Sequence, residues 1–261
     1  MDLRKQITEA LSNSVAENLS GTCAGVLFSG GLDSGVIARL AGSVCTTRLY
    51  TVGLAGSQDL AAAEWAAGEL GLPWTGIVLH EEDIPAGVAE VARLARTTNP
   101  VTVSFEMPLY FVARRASERL LVSGQGADEL FGGYARYVGL SEEVLRRQMD
   151  QDLEALLTEG VARGRRIAAR FGKVLFIPYL DDRVLSVARL VPPSERIANG
   201  VRKAVLREIA LQLTLGGIAL REKKAAQYGS GIMRAMESAA RRSKMPLEQY
   251  VRHLANSRES P

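Results

Sequence analysis

The fold is decided by one stretch of the chain, Ser29-Gly30-Gly31-Leu32-Asp33-Ser34. An apolar run rich in strand-forming residues, 24–28, comes just before it, and Val36, Ile37 and Leu40 follow at helical spacing. A glycine-rich turn between a buried strand and a helix points several backbone N–H groups at one place, where the helix dipole adds positive potential. The stretch is therefore predicted to bind phosphate.

Asp33 distinguishes this turn from a kinase-type phosphate loop, which ends in Gly-Lys-Ser/Thr. The chain has a carboxylate where such a loop has its lysine. Because a carboxylate beside phosphates needs a cation between them, Asp33 is predicted to be a magnesium ligand. The alternative is an ordinary strand-to-helix turn whose glycines serve only the backbone conformation.

A second glycine turn, Ser123-Gly124-Gln125-Gly126-Ala127-Asp128, follows another apolar strand at 119–123. Ligands of doubly wound sheets bind at the carboxyl ends of the strands, where both turns are expected to lie side by side. Asp128 is therefore predicted to be a second magnesium ligand. The alternative is a carboxylate that only complements the N-terminus of a helix.

Strand and helix patterns alternate through the first half of the chain. Helices are predicted over 3–19, 58–70, 84–95 and 107–118, and strands over 24–28, 47–53, 74–79 and 119–123. This alternation predicts an α/β fold with a doubly wound parallel sheet. From about Ser141 the pattern turns mainly helical, so residues 1–139 are predicted to form the α/β core and residues 140–261 a mainly helical part that completes the active site.

Composition and charge narrow the class of protein. The 261 residues are 47% apolar and 23% charged, which is typical of a soluble globular chain. No apolar run approaches the roughly 20 residues that cross a bilayer, the N-terminus lacks the apolar core of a signal peptide, and the two cysteines show no spacing motif. We therefore expect a cytoplasmic protein with reduced thiols and no membrane partner.

The charge is uneven along the chain. Residues 1–138 carry 10 Lys/Arg and 15 Asp/Glu, whereas residues 139–261 carry 22 and 14. A basic half could face RNA, bound polyphosphate or an acidic partner. No basic cluster with interleaved aromatic residues accompanies this charge, so solvated helix faces are the simpler explanation and a nucleic-acid partner is not expected.

Together the two turns strongly resemble the synthetase domain of asparagine synthetases, within the wider group of ATP pyrophosphatases that share the SGG-x-DS loop. The resemblance runs from about Gly25 to Gly231. Beyond the two turns it includes the stretches 52–60, 129–134 and 177–181, Lys203 with Leu206-Arg207-Glu208, and Arg221-Glu222-Lys223. It implies the Rossmann-like fold of ATP pyrophosphatases.

The resemblance also implies a reaction that uses ATP and Mg²⁺. A carboxylate is adenylated and ammonia then attacks it to give an amide, with release of AMP and pyrophosphate. The adenosine part of ATP would be held by Leu27, Val52, Ser123 and Gly124, and the pyrophosphate by Ser29, Gly30, Gly31 and Ser34. Magnesium would be held by Asp33, Asp128 and Asp181. Lys223 would stabilise charge on the reacting phosphorus, with Lys203 as a weaker candidate.

Several of these positions have simpler explanations. Lys223 lies in a basic run with Lys224, where a solvated lysine is the alternative. Asp181 could cap a helix instead of binding metal.

The acceptor half departs from the family pattern. Gln125 stands where the family usually has Glu, and an amide cannot take a proton from ammonium. Glu106 would replace that carboxylate if it faces the same pocket. The family's aspartate-binding arginine is replaced around 103–105, and Phe176 stands where another arginine is usual. These changes point either to a substrate other than aspartate or to another anchor such as Arg136.

The source of ammonia is a further departure. Glutamine-using asparagine synthetases begin with a separate domain whose N-terminal cysteine releases ammonia, whereas Asp2 follows Met1 here. We expect either free ammonia or a separate glutaminase subunit as the donor.

Other functions stay open at this point. Aspartate is the most familiar acceptor, an unidentified carboxylate is nearly as well supported, and the substrate's own amine could attack to close a ring. Adenylation of a tRNA base and a non-catalytic ATP-binding regulatory subunit are the alternatives from other classes. A homo-oligomer is compatible with the sequence.

Overall fold

A five-stranded parallel sheet forms the centre of the protein in a computed structural model, which describes residues 2–220 and 229–257. The strands are β1 (Cys23–Leu27), β2 (Thr46–Leu54), β3 (Trp74–Leu79), β4 (Leu120–Val122) and β5 (Val174–Phe176). Their order is β3-β2-β1-β4-β5, and every neighbouring pair is parallel. The predicted doubly wound α/β sheet is confirmed.

The strand order reverses between β1 and β4. The chain runs outward from β1 through β2 to β3 and then returns to form β4 on the other side of β1. The register pairs Ala24 with Leu120 and Val26 with Val122, so the two strands end at the same edge. The crevice at such a reversal point is where open α/β sheets bind their ligands.

Helices cover both faces of this sheet. They are α1 (Leu3–Leu19), α2 (Leu32–Val44), α3 (Gln58–Leu70), α4 (Asp83–Ala95), α5 (Pro100–Arg115), α6 (Ala127–Phe131), α7 (Glu142–Ala155), α8 (Val161–Ala169), α9 (Asp182–Ala188), α10 (Pro193–Arg196), α11 (Ala204–Gln212), α12 (Gly216–Ala219), α13 (Ile232–Arg242) and α14 (Leu247–Asn256). A π-helical turn, Leu156–Gly160, joins α7 to α8, and a short hairpin, β6 (Ile197–Ala198) and β7 (Val201–Arg202), precedes α11. Among the described residues, no helix is long and apolar enough to cross a membrane.

Alternate side chains of the strands enter two separate cores. Val26 and Val122 belong to the core beneath α1, α2, α9 and α11, whereas Leu121 and Leu175 belong to the core beneath α4, α5 and α8. Helix α1 has its apolar residues every four positions, and Ile7, Leu11, Val15 and Leu19 are all fully buried in the first core. This burial fixes the sheet that carries the two glycine turns.

Two sequence predictions about elements were wrong in detail. The helix expected at 107–118 begins at Pro100, because Asn99 caps it by accepting from the N–H groups of Val101 and Thr102 and proline suits the first helical position. Strand β5 was missed because it has only three residues and lies in the mainly helical half. The domain boundary near Gly139 stays a prediction, and β5, which lies beyond it, completes the sheet.

Candidate active site

The first glycine turn is closed from within by a serine. The Ser34 hydroxyl accepts from the Ser29 N–H at 3.3 Å and donates to the Gly31 carbonyl at 3.3 Å. Gly30 has φ +67°, and a Cβ there would lie 2.6 Å from the Ala62 carbonyl of α3. Only glycine fits this position, because it combines a left-handed backbone with close contact to another backbone. The turn leads directly into α2, which begins without a side-chain cap at Gly31.

The second glycine turn lies against the first, as the sequence predicts. A Cβ on Gly124 would lie 3.2 Å from the carbonyl carbon of Asp33 and 3.2 Å from the Ser34 nitrogen. Tyr179 fastens the pair, because its buried hydroxyl donates to the Asp33 carbonyl at 3.1 Å. Its ring packs edge-on against Phe131 of α6, with centroids 6.0 Å apart. Two distant segments of the chain, at Gly124 and Tyr179, therefore contact the backbone at Asp33.

Asp33 and Asp128 converge on one ammonium group. The Lys203 Nζ lies 2.6 Å from an oxygen of Asp33 and 2.6 Å from an oxygen of Asp128. The lysine side chain is only 11% exposed. Burial opposes its charged form, but the two carboxylates outweigh burial, so the pKa of Lys203 is raised above its ordinary value. The site therefore holds a compact cation between two carboxylates.

The backbone around Lys203 is built to present this ammonium. The hairpin of β6 and β7 turns at Asn199 and Gly200, both with positive φ, as a two-residue turn of this sequence requires. Lys203 itself has φ +57°, an uncommon conformation for a residue with a side chain. Arg202 holds the junction by donating to the Gly133 carbonyl at 2.7 Å. The lysine is thus placed by the hairpin and by the glycines after α6.

Gly133 leaves the space in which the charged groups meet. A Cβ at this position would lie 1.8 Å from Asp128 Oδ1 and 2.2 Å from Lys203 Cε. The Gly133 N–H also donates to the Asp128 carbonyl at 2.8 Å. Neither Gly133, Arg202 nor Tyr179 was predicted as a site residue. The glycine pair at 132–133 and the 177–181 stretch were part of the resemblance, which was the only signal that pointed to them.

The residues predicted to hold adenosine lie along the same edge. Leu27 ends β1, and Val52 is buried in β2 on the same face, in the second core. Ser123 is buried at the end of β4 and accepts from the Gln125 N–H at 3.2 Å. With Gly124 these residues lie near the crevice where the strand order reverses, and their role in holding adenosine stays a prediction.

Asp181 is engaged elsewhere. It caps α9 by accepting from the Arg183 N–H at 3.0 Å, and the Arg183 guanidinium donates to both of its carboxylate oxygens at 2.9 and 2.8 Å. Hydrogen bonds from Arg183 lower the pKa of this carboxyl below its usual range. Among the described residues, no three acidic, histidine or cysteine side chains are grouped to hold a metal. Asp33 and Asp128 thus share one cation while Asp181 pairs with Arg183, and the magnesium role of all three aspartates stays a prediction.

Glu106 faces α8. The side chain is 2% exposed, and its Oε1 lies 3.8 Å from Arg163 Nε. Burial, partly offset by Arg163 and Arg166, raises the pKa of Glu106 to about 7. Glu106 Oε2 and Gln125 Oε1 are both buried, and neither finds a hydrogen-bond partner among the described residues. Its role as a substitute carboxylate for Gln125 stays a prediction.

The remaining predicted residues lie apart from this site or outside the described ranges. Arg136 pairs with Asp152 at 2.7 Å and stacks on Tyr134, so its guanidinium is already committed. Lys223 falls outside the residues that the structure describes. Its predicted role beside the reacting phosphorus stays a prediction.

Comparisons with known proteins agree with the sequence resemblance. The family model described as asparagine synthase matches residues 6–143 and 138–260. A putative glutamine-hydrolysing asparagine synthetase of Methanocaldococcus jannaschii is 32% identical over 88% of this chain and 50% of its own length. Asparagine synthetase B of Escherichia coli is 28% identical over 88% of this chain and 45% of its own length.

The extent of these matches is itself a finding. The chain spans about half the length of the curated relatives that it matches. Among solved structures, NMN synthetase from Francisella tularensis covers 99% of this chain and 97% of its own, with a TM-score of 0.45 and 16% identity, which is too distant to carry a conclusion.

Proposed function

Because the chain belongs to the asparagine synthase family, we propose that it is an ATP-dependent, AMP-forming ligase that adenylates a carboxylate and transfers ammonia to it. One observation carries the proposal. The two glycine turns meet at the reversal point of the sheet, with Asp33 and Asp128 aimed at a single cation. This is the charge pattern that a metal-bound polyphosphate needs.

The first turn and the start of α2 are suited to the leaving pyrophosphate. Ser29, Gly30 and Gly31 would bind it through backbone groups, and Ser34 would keep the turn closed. Asp33 and Asp128 offer only carboxylate oxygens, which are the ligands that Mg²⁺ prefers. When bound there, magnesium would neutralise charge on the phosphate oxygens.

Two lysines complete the charge balance in this proposal. Lys203 lies within reach of both carboxylates, and Lys223 would act on the reacting phosphorus. Rate enhancement would come mainly from positioning and from fixed charges aimed at the phosphates.

The residues around Gln125 and Ser104 define the acid that accepts ammonia less closely than the two glycine turns define the nucleotide. Gln125 Oε1 is buried and lies in the second turn, where it can accept a hydrogen bond but cannot take up a proton from ammonium. Ser104, in the stretch where the family places an arginine, is buried and donates to the Val101 carbonyl at 2.9 Å. Neither side chain supplies the bidentate cation that an α-carboxylate favours. A carboxylate other than aspartate therefore belongs in the proposal beside aspartate.

An ATP–pyrophosphate exchange screen tests this function. Purified protein, Mg²⁺, ATP and labelled pyrophosphate are incubated with single carboxylic acids, aspartate included, and with no acid. We expect exchange that depends on one acid and on the metal. The variant Asp33→Asn should lose that exchange, whereas Asp182→Asn, which changes an exposed carboxylate at the start of α9, should keep it.

Two results would contradict the proposal. Exchange at the parental rate in a folded Asp33→Asn protein would remove the carboxylate from the metal site. Absence of both exchange and MgATP binding across a broad acid panel would count against the ligase function itself. Isothermal titration with MgATP separates loss of binding from loss of chemistry.

A further inference from the structure

The two carboxylates and Lys203 form a nearly closed charge group before any ligand arrives. Each carboxylate oxygen lies 2.6 Å from the same nitrogen, so the two oxygens are separated by no more than twice that distance. Asp33 and Lys203 are largely buried, whereas Asp128 is 40% exposed. Two carboxylates this close repel one another unless a cation lies between them. The ammonium of Lys203 is that cation here.

Backbone contacts hold the segments that carry this charge group. Tyr179 donates to the backbone of Asp33, Arg202 ties the residue before Lys203 to the Gly133 carbonyl, and Gly133 lies directly beside Asp128. The four-carbon stem of Lys203 can move without disturbing these backbone contacts, because lysine is a flexible side chain with a compact charge. The lysine can therefore leave the pair while the carboxylates stay in place.

We propose that Lys203 is a resident cation that occupies the place of the divalent metal between Asp33 and Asp128 and yields it only when a polyphosphate enters with that metal. This inference rests on the proposed function, because it takes the two aspartates as the metal ligands. It adds an order of loading that the family assignment does not contain. The free metal ion is excluded, and metal and triphosphate bind together.

The reason for this order is electrostatic. A metal ion that arrives alone must displace a buried ammonium that already neutralises half of the pair's charge, and the displaced ammonium loses both of these ion pairs. A triphosphate brings several negative oxygens to the adjoining glycine turn, where a charge-assisted contact can receive the ammonium. Binding of the metal and binding of the polyphosphate are therefore coupled, and thermodynamic linkage makes the coupling reciprocal.

A manganese titration without nucleotide tests the inference. Mn²⁺ substitutes for Mg²⁺ at oxygen sites, and the free ion is counted directly by electron paramagnetic resonance. The titration compares the parent protein with Lys203→Met and with Lys5→Met, which removes the same charge from an exposed position. We expect Lys203→Met to bind Mn²⁺ at least tenfold more tightly than either of the other two. Adding Asp128→Asn to Lys203→Met should abolish that gain.

Titration of the parent protein alone is a second test that needs no variant. Binding of Mn²⁺ alone at micromolar concentration by the parent would overturn the inference, because the lysine would then be no obstacle. Equal affinities in Lys203→Met and Lys5→Met would overturn it as well. Circular dichroism checks that the variants fold. If Lys203→Met does not fold, the titration is repeated with Lys203→Gln.

The titration and the exchange screen distinguish failure of this inference from failure of the ligase proposal. A positive exchange screen with unchanged Mn²⁺ affinity in Lys203→Met removes only the inference about loading. A gain of Mn²⁺ affinity without any binding of ATP supports the metal pair and removes the assigned nucleotide.

Discussion

Replacing Gly133 with alanine should disable the site while leaving the fold intact. The added methyl group would lie 1.8 Å from Asp128 Oδ1 and 2.2 Å from Lys203 Cε, whereas ordinary contacts are 3.4 Å or longer. Both atoms belong to the ends of side chains, so the side chains can yield and the backbone need not. Gly133 is not among the glycines with positive φ, so alanine adds no backbone strain. The substitution therefore acts almost entirely on the charge group.

The size of the effect follows from that displacement. Asp128 Oδ1 must retreat by roughly 1.5 Å, which lengthens its 2.6 Å distance to the Lys203 ammonium to about 4 Å and would move it by a similar amount from a metal ion held in the same place. With an effective dielectric constant of about 20, the attraction per unit charge falls from about 6 to about 4 kcal/mol. A loss of about 2 kcal/mol corresponds to roughly thirtyfold in a binding constant, and screening at the half-exposed Asp128 reduces it toward tenfold.

Isothermal titration of MgATP measures this loss, and thermal unfolding measures the fold. We expect tenfold to thirtyfold weaker binding, with a melting temperature close to that of the parent. Gly68→Ala is the matched control, because a Cβ at this position in α3 meets nothing within 4 Å. A folded Gly133→Ala protein that binds MgATP as tightly as Gly68→Ala would refute the assignment of Asp128 to the nucleotide site.

Three further substitutions test neighbouring parts of the argument. Tyr179→Phe removes the hydroxyl that donates to the Asp33 carbonyl, so chemical denaturation should show a free energy of unfolding lower by about 1 kcal/mol, and MgATP should bind more weakly. An unchanged free energy of unfolding and an unchanged MgATP affinity would show that the contact does not position the turn. Asp181→Asn should leave the MgATP affinity measured by titration within about twofold of the parent, because Arg183 already hydrogen-bonds to both carboxylate oxygens. A loss of affinity of tenfold or more would show that Asp181 is one of the metal ligands. Glu106 has a folded-state pKa of about 7 against its usual 4.5, so between these two pH values the folded protein holds a proton that the unfolded chain releases. The free energy of unfolding should therefore fall by about 3 kcal/mol in all as the pH rises through this range. Glu106→Gln cannot titrate and should lack that fall, which urea unfolding at pH 4.5 and pH 8.5 measures against the parent; equal pH dependence in both proteins would place the ionisation elsewhere.

The parts of the site that the sequence could predict are those encoded locally. An apolar strand, a glycine turn and a helix follow one another within residues 23–44, and each signal is independent of the rest of the chain. The meeting of the two turns was predictable as well, because parallel strands end at one edge of the sheet. The single close approach of Gly124 to Asp33 confirms that reasoning.

The parts that the sequence could not predict depend on contacts between distant residues. Lys203 reaches Asp33 across 170 positions, and although the resemblance marks Lys203 as a candidate, nothing in the sequence shows that its ammonium contacts the two aspartates. The surroundings of Asp181 were not predictable either, because the resemblance implies a metal ligand there, whereas the structure shows Arg183 engaging both of its oxygens. Strand β5 has too few residues for its own pattern, and pairing with β4 decides its conformation.

The two halves of the site differ in whether their polar groups find hydrogen-bond or ion-pair partners within the protein. In the nucleotide half, the Ser34 hydroxyl, the Asp33 carbonyl and the Lys203 ammonium all have partners. Gln125 Oε1 has none among the described residues, although it is buried. A buried oxygen without a hydrogen-bond donor costs about 1–3 kcal/mol of free energy, which a ligand with an N–H or O–H donor would recover. Acids that carry such a donor should therefore give the stronger exchange, and Gln125→Leu should reduce the preference for them over acids that lack one.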